Sequence, residues 1–393
     1  MNKYLTQRNL FLFGAVIALA VSLIEISRGR AYNYEIFLRG TQELLDGINP
    51  YTLDFMTRNH YVMKPESTMT EFLYLPAFAL PFSLFTLLPV WLGALLWNVF
   101  NYVSFFFILR YLPSLTDKHR KMIFLFMLPL MAQNMFSFQY NFTVANMFLF
   151  SFLLLEREKY WWAILIITFS GITKIYGFVM LPILLLYPQL WKNIGRTIAC
   201  IALWILLPII YGGPQHLVSL YTNWLDYILV HAESRIFFTI RQIIRVYTGF
   251  DMGAYENILL IAVGIIVSLA ILLRYKTLRA TLSSRYCVFG ILISLPILWG
   301  GHTELVTFII PMAGFLLWYF TTESTTLYDK ILLWAGFIIL GVVPIDILCP
   351  VSVKNILIYN YDTDTGLFLN VIVAMLMWVR MIQRQACSEF KVS

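Results

Sequence analysis

The chain has 393 residues, of which 60% are hydrophobic and only 12% are charged. Soluble globular chains carry about 25% charged residues, so this composition excludes a soluble domain and predicts a protein of the lipid bilayer. The net charge of +7 is typical of cytoplasmic loops rich in lysine and arginine and does not indicate nucleic-acid binding. Cys200, Cys287, Cys349 and Cys387 lack metal-ligand spacing, so neither a zinc site nor a disulfide framework is expected.

The apolar segments predict an all-α fold. The first segment, from about Leu10 to Ile26, is followed by Arg28 and Arg30 instead of a small-residue cleavage site, which indicates a retained helix with a cytoplasmic start. Because a spanning helix needs roughly 20 apolar residues, residues 1–393 are expected to form one integral membrane domain with about twelve transmembrane helices. The later helices are expected to begin near Phe72, Val90, Met122, Phe142, Tyr160, Gly195, Asn257, Tyr286, Glu304, Ile331 and Leu367.

The basic connectors predict the orientation. The connectors at residues 192–196 and 274–285 carry lysine and arginine, so both should be cytoplasmic. Counting from them places the long loops 27–71 and 212–256 on the outer side and returns the carboxy-terminal tail to the cytoplasm. The expected location is therefore the plasma (inner) membrane, with a cytoplasmic amino terminus.

Two layouts are open for the part of the chain between residues 72 and 188. Residues 160–187 form one long helix, or Lys174 marks a break between two short ones. The second layout makes residues 72–112 a single interrupted crossing. It also places the basic residues of 118–121 and 157–159 inside, so the positive-inside rule favours it.

Both long outer loops contain amphipathic segments. In residues 33–46 the apolar side chains recur at helical spacing with polar side chains on the other face, which predicts a helix lying in the outer interface. Asn33 would cap its start, and Gly47 would end it together with the Asn49-Pro50-Tyr51 turn. Residues 217–228 and 237–247 repeat this pattern, so the two loops are expected to form the walls of a site at the lipid surface.

Four polar residues along the first half of the chain could carry chemistry, and each also has a structural explanation. Glu35 could accept a proton as a general base, or it could stabilise the first turn of its helix. Gln139 and Asn141 could bind a sugar, or their amides could clamp neighbouring helices. Lys174 lies in an apolar stretch, where it could bind a phosphate or extend its amine to the interface.

Two later turns also contain titratable side chains. In the glycine-containing turn 299–304, His302 precedes Glu304 by two residues and could contact substrate or play a structural role. Asp362 and Asp364 resemble an Asp-any-Asp element that holds a metal in nucleotide-sugar enzymes. Because this loop is expected to face outward, where nucleotide sugars do not occur, we interpret it as a solvated turn and expect no metal site.

A basic group lies in the second outer loop, on the side where positive charge is normally avoided. Anionic lipid phosphate is its natural partner, although anchoring at the interface would also explain it. The members of the group are His231, Arg235, Arg241 and Arg245.

Several stretches resemble a known family in their order along the chain. Those in the first outer loop are similar to the first outer loop of polytopic glycosyltransferases of family 87, members of the C superfamily that include polyprenyl-phosphate-mannose-dependent α-mannosyltransferases. The resemblance covers about residues 32–320. The stretches that carry it are Asn33-Tyr34-Glu35-Ile36-Phe37, Leu45-Asp46-Gly47-Ile48-Asn49-Pro50-Tyr51, Gln139-Tyr140-Asn141, Lys174-Ile175-Tyr176-Gly177 and Pro296-Ile297-Leu298-Trp299-Gly300-Gly301-His302.

The chain departs from the family pattern at its presumed catalytic base. The family usually has an aspartate where this chain has Asn33. The base would then be Glu35, or His302 helped by Glu304, or the activity would be altered or lost. Close to His302, an acid and a first histidine of the family are replaced by glycines 300 and 301.

The resemblance implies transfer of a sugar, mannose or another hexose or pentose, from a polyprenyl-phosphate-linked donor to a lipid-linked or glycan acceptor. The transfer would take place on the outer face by direct displacement with inversion, without a metal or cofactor, in a protein expected to be a monomer. Glu35, His302, Asn33 and Glu304 would be catalytic. Lys174, Arg235, Arg241 and Arg245 would bind the donor phosphate. Gln139, Asn141, Tyr34 and Tyr51 would bind the sugar or the acceptor.

Two other classes of protein fit the same features. A lipid-linked glycan polymerase or O-antigen ligase also has about twelve spans, a large outer loop and outward arginines and histidine. A transporter or flippase would show ionisable residues at the midplane and paired broken helices in two halves. The amphipathic helix directly after the first span favours the glycosyltransferase.

Overall fold

The computed structural model describes residues 6–231, 238–253, 255–300 and 303–387. In these ranges the protein is helical, and extended pairing is limited to isolated bridges between His60 and Thr68 and between Asn360 and Thr365. The α-helices are α1 (Gln7–Ser27), α2 (Tyr32–Leu45), α3 (Phe55–Arg58), α4 (Ala79–Phe82), α5 (Val90–Tyr111), α6 (Asp117–Phe136), α7 (Tyr140–Glu156), α8 (Tyr160–Thr173), α9 (Leu190–Leu206), α10 (Gly213–His231), α11 (Ile240–Thr248), α12 (Tyr255–Leu273), α13 (Tyr275–Ala280), α14 (Leu282–Trp299), α15 (Ile309–Thr321), α16 (Leu327–Ala335), α17 (Val351–Leu357) and α18 (Leu369–Cys387). Tighter 3-10 turns cover Pro76–Phe78, Ser83–Leu87, Ile175–Leu186, Leu207–Tyr211 and Leu305–Phe308, and a π-helical segment covers Gly336–Val342.

Long apolar helices confirm the membrane character of the chain. In the described ranges, four helical segments are long and apolar enough to cross a membrane, and six shorter apolar ones accompany them. The count of about twelve crossings, the orientation and the monomeric state stay predictions. The four long segments are α1, α5, Leu190–Tyr211 and α14.

The first helices pack antiparallel. The hydroxyl of Tyr102 on α5 donates to the carbonyl of Phe11 near the start of α1, at 2.6 Å. Nearer the end of α1, the Asn98 amide donates to the Ser22 hydroxyl at 2.9 Å. The end of α1 and the start of α5 therefore lie at the same end of the bundle. Because α2 follows α1 there, we call it the α2 end.

Helix α2 confirms the helix expected over residues 33–46, but one detail of that expectation is wrong. The helix begins at Tyr32, so Asn33 lies inside its first turn and is not its cap. On its polar face, Glu43 is buried as well as the apolar side chains. The loop after α2 folds back over this face, where Arg58 pairs with Glu43 at 3.0 Å and the Asn59 amide donates to Glu43 at 2.7 Å. Protein thus covers this part of α2, and the interfacial position of the helix stays a prediction.

Close packing against Gly40 fixes the position of α2. A Cβ atom at this position would lie 2.2 Å from Cδ2 of Phe72, whose ring is fully buried. We expect Gly40→Ala to lower the free energy of unfolding by about 1–3 kcal/mol, because the ring has no free space to enter. Thermal unfolding of the purified protein measures this. Gly195→Ala is the control, since nothing lies within 4 Å of its new Cβ, and equal stability of both variants would contradict the assignment.

The chain breaks at Lys174, as the second of the two predicted layouts requires. Helix α8 ends at Thr173, Lys174 is extended with φ −137° and ψ 110°, and the 3-10 segment Ile175–Leu186 follows. The aliphatic run on both sides would favour one continuous helix. A hydrogen bond from the Tyr140 hydroxyl to the Thr173 hydroxyl, at 3.1 Å, instead joins the end of α8 to the start of α7. Lys174 therefore lies at a helix end, not in the middle of a helix.

An ion pair joins three segments at the opposite end of the bundle. Glu156, the last residue of α7, accepts two hydrogen bonds from the Arg285 guanidinium at 2.7 and 2.8 Å. The Tyr187 hydroxyl, just after the 3-10 segment 175–186, donates to the same carboxylate. Bidentate pairing of this kind is stronger and more directional than an ordinary hydrogen bond. It fixes α7, the 3-10 segment and α14 together at their far ends.

Candidate active site

Lys174 and Asn141 meet at the α2 end of the bundle. The Lys174 ammonium donates to Oδ1 of Asn141 at 2.8 Å, and the Tyr176 hydroxyl donates to the same oxygen at 2.9 Å. The ammonium also lies 5.5 Å from the ring centre of Tyr176 and 5.9 Å from that of Tyr74. An amide oxygen and two aromatic rings thus hold one cation in place without neutralising its charge.

Glu304 brings a carboxylate to the same place. Its Oε2 accepts a hydrogen bond of 3.2 Å from the Gln139 amide, and its negative charge acts on the Lys174 ammonium. The side chains of Glu304 and Lys174 are both partly exposed. We call the group of Gln139, Asn141, Lys174, Tyr176 and Glu304 the polar cluster.

Tyrosines close one side of the polar cluster. Burial and the charge of Glu304 raise the pKa of Tyr74 well above its ordinary value, so Tyr74 stays a neutral hydrogen-bonding group. The Tyr74 ring packs edge-on against Tyr140, with 5.3 Å between their centres. The Tyr51 hydroxyl donates to the Tyr74 carbonyl at 2.6 Å and so supports this wall from behind. Sequence reasoning did not single out Tyr74 or Tyr176, although Tyr176 is two residues from Lys174.

The predicted ligand-binding tyrosines of the first outer loop are buried. Tyr51 lies in the asparagine turn after α2, where Oδ1 of Asn49 accepts from its backbone N–H at 3.0 Å. Tyr34 is fully buried with its ring against Phe82 at 5.6 Å, and its hydroxyl has no hydrogen-bond partner among the described residues. Their roles toward a sugar or acceptor stay predictions.

Asn33 contacts the backbone close to the polar cluster. Its amide nitrogen donates to the Ser137 carbonyl at 2.7 Å, two residues before Gln139. A carboxylate in the same position could not donate this bond. Asn33 therefore joins α2 to the junction of α6 and α7, which positions both predicted amides.

Glu35 lies apart from the polar cluster. Its carboxylate is fully buried and accepts hydrogen bonds from the backbone N–H groups of Val62 and Met63. Burial raises its pKa above the ordinary value, while these two N–H groups and the charge of Arg39 act in the opposite direction. Glu35 thus fixes the loop that covers α2. Its predicted role as a base is not tested by this arrangement.

The raised pKa of Glu35 gives a prediction about stability and pH. Because its folded-state pKa lies above the ordinary value of 4.5, the folded protein binds more protons than the unfolded chain between the two values. The contribution of Glu35 to stability is therefore full below the unfolded-state pKa and falls as the pH rises through the folded-state pKa.

Glu35→Gln should remove this part of the pH dependence, because an amide cannot ionise but still accepts hydrogen bonds. Thermal unfolding midpoints between about pH 4 and pH 8 measure the slope. Glu66→Gln, at an exposed carboxylate in the loop after α2, should keep the wild-type slope. A slope that is the same in all three proteins would contradict the assignment.

The predicted arginines of the second outer loop have acidic partners. Arg241 pairs with Asp251 at 2.8 Å, and Arg245 pairs with Asp364 at 3.0 Å. The Tyr247 hydroxyl also donates to the Gly366 carbonyl at 2.7 Å, which joins α11 to the loop before α18. The sequence predicted that the loop around Asp364 is a solvated turn, and the loop is exposed. Through the pair of Asp364 with Arg245 it also contacts α11. Arg235, Phe237 and His302 lie outside the described residues.

The polar cluster combines a fixed cation, a carboxylate and two amides. A cation of this kind can stabilise phosphate charge, a carboxylate can take a proton, and amides can bind hydroxyl groups. Among the described residues, no three His, Cys, Asp or Glu side chains are grouped so that they could hold a metal. Metal-independent chemistry stays a prediction.

Apolar helices around this polar cluster define a membrane protein with a polar site at one end of its bundle. The model of glycosyltransferase family 87 matches residues 72–296, which is more than half of the chain. The chain belongs to glycosyltransferase family 87 and is a membrane glycosyltransferase. The matched region includes Gln139, Asn141, Lys174 and Tyr176 but ends before Glu304. No match to the chain is found among the curated proteins.

Proposed function

We propose that this glycosyltransferase takes its sugar from a polyprenyl-phosphate-linked donor and transfers it to a hydroxyl group of a lipid-linked or glycan acceptor at the outer face of the membrane. The observation that carries the proposal is the polar cluster at the break between α8 and the segment Ile175–Leu186, where Asn141 holds Lys174 and Gln139 holds Glu304. The donor's isoprenoid tail lies in the bilayer, so its phosphate reaches such a helix end without leaving the membrane surface.

Lys174 is the proposed binding group for the donor phosphate. A lysine ammonium has three N–H donors, and Asn141 accepts one of them. In the partly buried position of Lys174 its charge is less screened than on the surface. The charge that grows on the leaving polyprenyl phosphate would be stabilised there as the sugar departs.

Arg241 and Arg245 are proposed as secondary phosphate ligands. Each must first release its acidic partner, Asp251 or Asp364, to reach a phosphate. Both ion pairs are partly exposed to solvent, and exposed pairs contribute only about 0–1 kcal/mol. A dianionic leaving group could therefore compete for these arginines.

Glu304 is the proposed general base. It is partly exposed and its charge acts on Lys174, whereas Glu35 is fully buried and hydrogen-bonded to the backbone. The acceptor oxygen attacks the anomeric carbon and forms the new glycosidic bond. The bond from that carbon to the phosphate oxygen breaks with its electron pair, and the hydroxyl proton passes to Glu304. The displacement inverts the anomeric centre. His302, two residues away, is the alternative base.

Reconstitution with defined donors tests the proposal. Purified protein in lipid nanodiscs is incubated with polyprenyl-phosphate mannose, glucose, galactose and arabinose and with a mixed pool of glycolipid acceptors, and products are identified by mass spectrometry. Transfer of one sugar with release of polyprenyl phosphate supports the proposal. Transfer only from a nucleotide sugar would refute it, and transfer of a whole glycan from a pyrophosphate carrier would indicate a polymerase or ligase.

A further inference from the structure

A cleft opens at the end of the bundle opposite the polar cluster. It lies between the start of α1, the end of α5 and the start of α6, and the space outside the protein atoms there, open solvent included, is about 270 Å³. Its floor is apolar and includes Leu10 and Phe124. Its rim carries three cations, Arg110, Arg120 and Lys121.

The three cations differ in how they are held. Arg120 donates to the carbonyls of Leu109 and Leu112 at 3.3 and 3.2 Å and pairs with Asp117 at 3.3 Å, so it forms part of the framework. Arg110 and Lys121 have no acidic partner among the described residues. The rim therefore has an excess of positive charge over the single carboxylate of Asp117.

Lipid can reach this cleft along the helices that form it. Helices α1 and α5 are two of the four segments with membrane-spanning length and composition. Phe13 on α1 and Phe107 on α5 are 53% and 46% exposed, so apolar surface continues from the cleft along both helices. A molecule that satisfies all of these features has acyl chains and an anionic headgroup.

We propose that this cleft binds the headgroup of an anionic phospholipid, with its phosphate between Arg110 and Lys121 and its acyl chains along α1 and α5. Basic clefts between membrane helices bind anionic phospholipid headgroups in this way. Charge complementarity selects an anionic over a zwitterionic lipid, because the latter brings its own cation to a rim that is already positive. The proposal does not depend on the sugar-transfer reaction.

Native mass spectrometry of the full chain with phosphatidylglycerol tests the proposal, with phosphatidylcholine as the neutral reference. The double variant Arg110→Gln/Lys121→Gln should bind phosphatidylglycerol at least about tenfold more weakly, because it loses two charge-assisted contacts. Lys276→Gln/Arg279→Gln is the matched control, since both residues are exposed on α13, outside the cleft. It removes the same charge and should bind as the wild type does.

Three results would overturn the proposal. The first is equal binding of phosphatidylglycerol by both double variants, and the second is equal binding of phosphatidylcholine and phosphatidylglycerol by the wild type. The third is thermal protection by inorganic phosphate that equals protection by the lipid, since this would indicate a site for free phosphate. If the double variant unfolds, the single variants Arg110→Gln and Lys121→Gln are titrated separately, and each must weaken lipid binding.

Discussion

Lys174→Ala should lower sugar transfer by at least about a hundredfold, because removal of one preorganised group that stabilises developing charge costs this much in other enzymes. Donor affinity should fall as well, since the ammonium would contact the phosphate before and during the reaction. Steady-state transfer and direct binding of a polyprenyl-phosphate sugar measure the two effects. Lys174→Arg should recover only part of the activity, because the planar guanidinium cannot replace a point charge held between two rings.

Lys64 provides a matched control for this variant. Its ammonium lies 3.4 Å from the hydroxyl of Tyr32 and 6.0 Å from the centre of the same ring. It therefore resembles Lys174 in its contacts but lies outside the polar cluster. Lys64→Ala should retain transfer and donor binding. Unchanged donor binding in a folded Lys174→Ala protein would remove Lys174 from the donor site.

Glu304→Gln should lower the turnover rate by about 10²–10⁴-fold, the range expected when a general base is lost. The amide can still accept a hydrogen bond from Gln139, so the local structure should be kept. Donor affinity should stay the same or rise, because the substitution removes a negative charge that acts on Lys174. This combination separates Glu304 from Lys174, whose loss weakens binding.

Two further variants locate the base if Glu304 is not responsible. Glu66→Gln, at an exposed acid after α2, is expected to transfer at the wild-type rate. His302→Ala is measured in parallel, with thermal stability as the check on folding. If Glu304→Gln retains full turnover and His302→Ala abolishes it, the base is His302 and our assignment is wrong.

The break at Lys174 and the helix α2 could be predicted from the sequence because their signals are local. A charge inside a long apolar run is costly in a membrane, so it indicates a helix end. Spacing of apolar residues likewise predicts a helix over residues 33–46 wherever that helix packs. Local patterns also indicated a junction of helices at Gln139, although Asn141 lies inside the first turn of α7.

The contacts between these elements could not be predicted, because they join residues far apart in the chain. Nothing local indicates that Glu304 accepts a hydrogen bond from Gln139 or that Asp364 pairs with Arg245. The burial of Glu35 depends on the loop after α2, whose fold has no periodic signal. Amphipathic spacing alone does not tell whether a polar face meets water or another part of the protein, so the burial of Glu43 on α2 could not be predicted.

The ion pair between Glu156 and Arg285 lies far from the polar cluster along the same helix. Glu156 follows Asn141 by 15 residues in α7, so this pair lies about 22 Å along the helix from Asn141 at the rise of an α-helix. At the other end, the hydrogen bonds from Lys174 to Asn141 and from Gln139 to Glu304 join the same region, so contacts hold these segments together at both ends. Loss of the Glu156 carboxylate would remove the contact at the far end and leave the hydrogen bonds of the polar cluster in place.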